Sequence, residues 1–433
     1  MRKGFTHSAL FVLLCLTQIV TIDSLQAQEF TLSGEVRPRT EFRNGFKTPR
    51  SDGDQAAFFT EQRSRLYLDY KDTKYKFKLV LQDVRIWGEI PQIFKEEDGN
   101  TFLSEAWGQY FFSPEWSVKA GRQIISYDNQ RFFGGLEWAQ QGRRHDAFII
   151  KYAGAKSKLD LGIAINNDDT IPEPAFIQSP TAGFFETAGN YKAMYWGHYN
   201  TKFTGGSVSL LATNVAWQGG TIDAPVTSHR QTFGVIASYK AGDIKFGGDI
   251  YVQTGQFNQN DVSALLFNLN VGVPLGSQTV TFGYEFISGK DDTDTTSEIT
   301  SFSPTFGTNH AFNGFMDYFF VGPANGNVGV QDLHIKTKWK VGKSALVTNL
   351  HHFLTGSTQF DANGEELGKS FGTELDLVWI KKLAGDVTFH LGYSHMIATD
   401  NALALRPGNN SSNNWAWMMF TFKPTFFKSK VEQ

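Results

Sequence analysis

Cysteine is nearly missing from this chain. Of 433 residues only Cys15 is one, and it lies in an apolar N-terminal stretch laid out like a secretory leader. Arg2 and Lys3 give the basic start, Ala9–Val20 the apolar centre, and Leu25-Gln26-Ala27 a small residue at the cut. The mature chain is therefore expected to begin at Gln28. Leu14 stands before Cys15 where a lipoprotein would need a small residue. Removing residues 1–27 leaves no thiol, which excludes disulfides, thiolate metal sites and a cysteine nucleophile. Net charge is scarce too: −3 at neutral pH gives no bulk basic signal for nucleic acid. Beyond Ala27 no apolar run reaches the ~18 residues that a membrane helix requires. Two outcomes remain, a soluble protein or a closed barrel that crosses a membrane with strands.

What is abundant decides between them. Aromatics are 15% of residues, with 39 Phe and 42 Gly, a pairing that suits many strands joined by tight turns. In Phe30–Arg43, Phe30, Leu32, Val36, Pro38 and Phe42 share one parity, and Glu35, Arg37, Arg39, Glu41 and Arg43 the other. Such alternation gives a strand one apolar and one charged face. It recurs where Leu66, Leu68 and Tyr70 oppose Arg63, Arg65 and Asp69. It recurs again where Leu333, Ile335, Trp339 and Val341 oppose Asp332, His334, Lys336, Lys338 and Lys340.

Short turns at Lys71-Asp72-Thr73, Ser113-Pro114-Glu115, Gly154-Ala155-Lys156, Gly205-Gly206, Ala241-Gly242-Asp243, Leu275-Gly276-Ser277, Gly342-Lys343 and Ala384-Gly385 alternate with longer connections. These patterns predict an all-β fold. It is a transmembrane antiparallel up-and-down β-barrel of about 18 strands, with long extracellular loops and short periplasmic turns. It forms one domain over residues 28–433. A barrel of this size encloses a water-filled channel. With Arg37 and Arg39 turned to lipid near mid-depth, the strand would cost roughly 4–8 kcal/mol, so the charged parity is assigned to the lumen.

Four places resist this reading. The phase slips between Leu81 and Val84, which leaves the face of Asp83 and Arg85 open. Simple parity turns Arg122 outward, and a bulge at Gly121 is expected to bring it back in. Val208–Trp217 is too mixed to assign. Trp415–Phe422 is aromatic on both faces and is followed by Pro424 and a tail.

The stretch Glu105–Asp146 concentrates the charge. After the turn at Ser113-Pro114-Glu115 comes a long connection with Arg131, Arg143 and Arg144, preceded by Arg122, with Asp128, Glu137 and Asp146 interspersed. Guanidiniums hold carboxylates bidentately and keep their charge, so Arg37, Arg39, Arg63, Arg65, Arg131, Arg143 and Arg144 on one wall would enrich anions in a bore. Equally, each can pair with Glu35, Glu41, Glu61, Asp69 or Asp146 and stiffen the wall. Lys336 and Lys338 fall on the same inward parity. Trp87, Trp107, Tyr110, Phe111, Trp116, Trp138, Trp339 and Trp415 suit the interfacial girdles of a barrel, with Trp107 and Trp138 the candidates for contact with sugar rings.

Other clusters carry less. Asp291-Asp292-Thr293-Asp294 lacks the glycine and distal glutamate of a calcium loop and reads as external loop. His351 and His352 adjoin, so on a strand they face opposite ways. His145 beside Asp146 reads as a loop anchor. No cofactor or metal site is expected, and no G-x-G-x-x-G opens a helix.

EQRSRLYLDY (Glu61–Tyr70), LVLQDVRIWGE (Leu79–Glu89), AGRQIISYDNQRFFGGLEWAQQGRRHDAF (Ala120–Phe148) and FGTNHAFNGFMDYF (Phe306–Phe319) together resemble the alginate-export family of outer-membrane porins. The resemblance implies an eighteen-stranded barrel in the bacterial outer membrane, with an electropositive pore for an anionic polysaccharide or similar acidic solute. By their place in its motif, Arg122, Asp128, Arg131, Arg143 and Asp146 are the constriction candidates. The expected partners are outer-membrane lipid and lipopolysaccharide, an anionic solute or polysaccharide such as alginate, and the barrel-assembly machinery during insertion. A non-enzymatic channel is the leading expectation. A barrel enzyme, a lipid or glycan hydrolase, would instead need a Ser–His pair or close carboxylates at the rim. An anchoring barrel would need a plugged lumen. No plug domain fits before Phe30, which disfavours energy-coupled uptake.

Overall fold

The computed structural model describes residues 28–90, 101–166, 190–221, 223–319 and 328–429. The expected leader lies outside them, as do parts of four expected long connections and the last four residues. Alternating sequence becomes alternating strand throughout. The hairpins are β1 (Glu29–Asn44) with β2 (Ala57–Lys71), β3 (Tyr75–Ile86) with β4 (Thr101–Phe111), β5 (Trp116–Gln123) with β6 (His145–Ala153), and β7 (Ser157–Ile165) with β8 (Ala193–Phe203). Then follow β9 (Gly206–Gly220), β10 (Pro225–Ala241), β11 (Ile244–Phe257), a two-residue β12 (Asn260–Asp261), β13 (Ala264–Leu275) and β14 (Gln278–Ile287). The chain continues with β15 (Val330–Val341), β16 (Ser344–Leu354), β17 (Ser370–Ala384), β18 (Val387–Ala398), β19 (Ser412–Phe422) and a short β20 (Thr425–Lys428).

Each wall strand pairs antiparallel with the next, and β19 closes on β1 with Phe422 opposite Val36 and Asn414 opposite Asn44. Leaving aside β12, which only extends the end of β11, and β20, eighteen strands make a closed wall. Closure satisfies the backbone where no water reaches it. All eight short turns fall where the sequence put them, and the longer connections gather at the other end. The final overshoot is also accounted for. Pro424 interrupts the last strand, and β20 then rejoins the start of β1, with Phe427 opposite Leu32.

Parity sorts the side chains as charge requires. Val36, Phe42, Leu66, Leu333 and Ile335 point outward and are exposed, while Glu35, Arg37, Arg39, Glu41, Arg63, Arg65, Asp332 and His334 are buried on the lumen side. In β3 the odd residues Tyr75, Phe77 and Leu81 are exposed, and Asp83 and Arg85 continue that outward row, paired with each other at 2.5 Å. The apparent phase slip belongs to β4, whose register shifts against β3 between Val80 and Leu81. The mixed stretch Val208–Trp217 is the middle of β9, with Ser209, Leu211, Thr213 and Val215 facing in.

Two expectations are corrected. Gly121 has φ +118°, yet the ladders on both sides run through it without a shift. Arg122 therefore stays outward, opposite Asp146, and the two form an ion pair of 2.8 Å in the row of exposed Phe148 and Ile150. Neither lines the pore. Trp415 is no girdle residue: it is fully buried in the lumen, where its indole donates to Glu41 at 2.9 Å.

Candidate functional site

Two of the long connections fold into the bore. Residues 124–144, between β5 and β6, track around the inner wall and are tied to it at successive points. Asp128 accepts from Ser209 at 2.5 Å and contacts His198 at 2.8 Å. Asn129 donates to Asp249 on β11 at 2.8 Å. Arg131 reaches Glu285 on β14 at 2.6 Å. The far end lands on β1 and β2. Residues 288–319 of the connection between β14 and β15 enter from the other side: Asn313 donates to Glu285 at 2.7 Å and Asp332 at 3.2 Å, and Met316 N donates to Glu374 at 2.8 Å.

The landing on β1 and β2 uses the predicted arginines. Arg37 sits directly opposite Arg63 in the ladder, a like-charge contact that stands only if anionic or carbonyl oxygens compensate it. They do. Arg37 donates to the Glu137 carbonyl at 2.7 Å and Trp138 carbonyl at 3.1 Å, and Arg39 to the Trp138 carbonyl at 2.7 Å. Arg63 pairs with Glu35 at 2.6 Å, and Arg39 with Glu41 at 2.7 Å. Arg65 and Arg144 hold the two oxygens of Glu137 at 2.6 and 2.8 Å. Burial pushes the Glu137 carboxyl up, but the Arg65 and Arg144 guanidiniums outweigh it and hold it down at about 2. Arg143, whose pKa burial lowers to about 10, stays charged at neutral pH and donates to the Gly307 carbonyl at 2.8 Å.

The two connections also pack on one another. Gly134 N donates to Phe306 O at 2.8 Å, and Thr308 N to Gln130 O at 2.9 Å. A Cβ on Gly307 would meet Arg131 O at 2.2 Å, so only glycine permits this approach. Phe132, Phe133, Phe302, Phe306, Tyr191 and Trp196 form a buried aromatic cluster around the crossing. Trp138 takes the Arg39 guanidinium at 4.1 Å and stacks on His310 at 4.7 Å, which joins wall and both connections.

Among the predicted residues, Arg37, Arg39, Arg63, Arg65, Asp128, Arg131, Arg143 and Arg144 thus act as struts between the wall and the two connections, although Arg37 Nε, Arg65 Nη2, Arg131 Nε and Arg144 Nε have no hydrogen-bond partner among the described residues. Lys336 and Lys338 lie on the lumen parity nearer the short-turn end. Sequence reading missed the opposite wall, where Asp249, Glu285, Asp332, Glu374 and Asp376 are buried on the lumen face. Each sits at an inward position of its strand, and that parity was the available signal. Trp107 does face the lumen, with the Lys119 ammonium 3.8 Å from its ring.

The remaining clusters are structural. Asp291 and Asp292 accept from the backbone N–H of Thr358 and Phe360, and Asp294 accepts from Thr296 and pairs with Lys290. These carboxylates therefore join neighbouring external loops. His145 is buried against Tyr191 at 2.8 Å, as an anchor would be. A Ser–His contact does occur on the outer face, Ser412 Oγ to His395 Nε2 at 3.4 Å. The other ring nitrogen meets the Tyr393 hydroxyl rather than a carboxylate, so this pair lacks the acid that orients a catalytic base.

Residues 28–417 match a family model described as alginate export. Among solved structures, the fold is similar to OccAB4 of Acinetobacter baumannii, with a TM-score of 0.63 at 9% identity over 93% of this chain and 99% of that one. OpdL of Pseudomonas aeruginosa gives 0.61 at 10% identity over 92% and 99%. OprD of Pseudomonas aeruginosa gives 0.59 at 13% identity over 92% and 94%. No curated protein matches the sequence significantly.

Proposed function

The chain belongs to the alginate export family of outer-membrane channels, and from that premise we propose that it conducts anionic solutes passively, acidic polysaccharide among them. The observation that carries this reading is the charge of the lumen below the constriction. On the short-turn half of the wall the inward row holds Lys76, Lys119, Lys202, Lys240, Lys245, Lys336 and Lys338. Carboxylates in that half are already paired: Glu29 with Lys428, Asp69 with Lys78, Asp160 with Lys151, and Asp243 of the turn with Lys240. Rings of like charge in a bore with low-dielectric walls raise the local concentration of counter-ions. The arginines act differently, by fixing the connections that set the diameter. Trp107 beside Lys119 offers an aromatic face next to an ammonium, which suits a sugar ring bearing a carboxylate.

Single-channel recording in planar bilayers under a KCl gradient tests this. The expected reversal potential is that of an anion-preferring pore. Replacing Lys119, Lys336 and Lys338 together by Gln should move it toward cations, while the outward control Arg122→Gln leaves it in place. Oligouronates should interrupt the current where neutral oligosaccharides of equal length do not. An unchanged potential in the triple variant would remove the lysines from the selectivity mechanism. Folded barrels that pass no current would favour the anchoring reading instead.

A further inference from the structure

A second group on the inner wall is not needed for conduction. On β15, Asp332 and His334 are two residues apart and share the inward face. On β16, His351 lies directly opposite His334 in the ladder. The three side chains are buried, His334 at 6% exposure. One donor atom from each lies within 4.8 Å of the others.

Their protons do not complete a closed set. The Asn270 amide nitrogen donates to Asn268 at 2.8 Å, which leaves its oxygen facing His334 Nε2 at 2.9 Å as acceptor. His334 therefore carries its proton on Nε2. Its Nδ1 presents a lone pair with no hydrogen-bond partner among the described residues, and it faces Asp332 Oδ2 at 3.6 Å. A lone pair opposite a carboxylate oxygen in a buried site is repulsive unless a positive centre lies between them. The spacing is beyond a hydrogen bond, yet two ligands of one zinc, each about 2.0–2.2 Å from it, stand roughly 3.3–3.6 Å apart in a tetrahedral shell. His351 Nδ1 is 2.9 Å from the same carboxylate, and its Nε2 is 3.9 Å from Asp376 Oδ2, another buried oxygen without a hydrogen-bond partner among the described residues. A carboxylate behind a ligating imidazole is the arrangement that fixes its tautomer at metal sites.

We propose that Asp332, His334 and His351 bind a divalent transition ion of zinc-like chemistry on the lumen wall. Two imidazoles and one carboxylate suit zinc, cobalt, nickel or copper rather than calcium or magnesium, which prefer oxygen donors. On loading, His351 keeps one proton, on Nε2 facing Asp376, while its Nδ1 gives up the hydrogen bond to Asp332 and turns from donor to ligand. Asp332 also accepts from Asn313 of the 288–319 segment, so the ion would sit where that segment meets the wall.

The test uses the purified full-length barrel in detergent, stripped with chelator, incubated with Co²⁺ or Zn²⁺ alone and freed of excess by gel filtration. One ion per chain is expected, and Co²⁺ should give the visible absorption of a four-coordinate nitrogen–oxygen site. His334→Gln should weaken binding by more than about tenfold. His352→Gln, the outward neighbour of His351, should retain the ion. Heat-modifiable migration of each variant verifies a folded barrel, and Asp332→Asn is the second variant should His334→Gln fail that check. A wild-type barrel that retains no ion, or an ion that survives in the folded ligand variant, overturns the site.

Discussion

Arg131 is where a single side chain does most to hold the interior together. Its guanidinium is fully buried, shares one nitrogen between Glu285 at 2.6 Å and Asn313 at 2.9 Å, and covers Phe312 at 4.5 Å. One residue thereby ties the 124–144 connection, the 288–319 segment and the wall. Truncating it leaves Glu285 charged and buried without its cation, which costs about 3–5 kcal/mol in comparable pairs. Arg131→Met should therefore free both connections: single-channel current becomes noisy and larger, and trypsin cuts within 124–144 in the otherwise resistant barrel. Because the penalty comes from the orphaned carboxylate, Glu285→Gln added to Arg131→Met should restore part of the quiet baseline. A double variant as noisy as the single one would mean that the pair adds nothing beyond its separate members.

At the scale of elements, one titratable carboxylate, Glu137, joins the carbonyl contacts of Arg37, Arg39 and Arg63 in holding the 124–144 connection against β1 and β2. Glu137 is kept anionic by Arg65 and Arg144, so its carboxyl is lowered to about 2. A depressed carboxylate contributes stability that is complete above its unfolded value near ~4.3 and is lost as pH falls through the folded value. Conductance should therefore stay constant from neutral pH down to about 3, then become unstable as the solution approaches pH 2. Glu137→Gln should bring that instability to neutral pH, and a wild-type profile that already changes near pH 5 would contradict the assignment. The hairpins themselves were readable, because turn residues and alternation are local signals. The inward fold of the connections was not: Arg37 meets Glu137, and Arg131 meets Asn309 and Asn313, across a hundred residues or more. Local periodicity carries no information at that range. The His334–His351 contact lies between these cases, since the two-residue turn at Gly342-Lys343 fixes a register that places them opposite each other.

For the whole molecule, the sorting of odd from even positions decides everything else, and it was legible almost throughout. At Arg122 simple parity gave the right face, and the bulge expected at the strand glycine Gly121 is excluded by the continuous ladders. The sorting blurred at β3, where the irregularity belongs to the partner strand. In both places outward charges pair among themselves, Arg122 with Asp146 and Arg85 with Asp83, and pairing reduces the cost of charge on that face. An unpaired charge has no such relief, which allows a test within one strand. Val235 on β10 points outward near mid-strand and is 44% exposed, while Ser238, three residues on, is exposed to the lumen. In lipid vesicles Val235→Arg should lose about 2–4 kcal/mol of unfolding free energy, and Ser238→Arg should lose well under ~1 kcal/mol. Both residues are exposed, so ordinary surface exposure predicts no difference between them. Only hydrocarbon outside and water inside does, and equal losses in a urea titration would mean that the outer rows of this barrel do not face lipid.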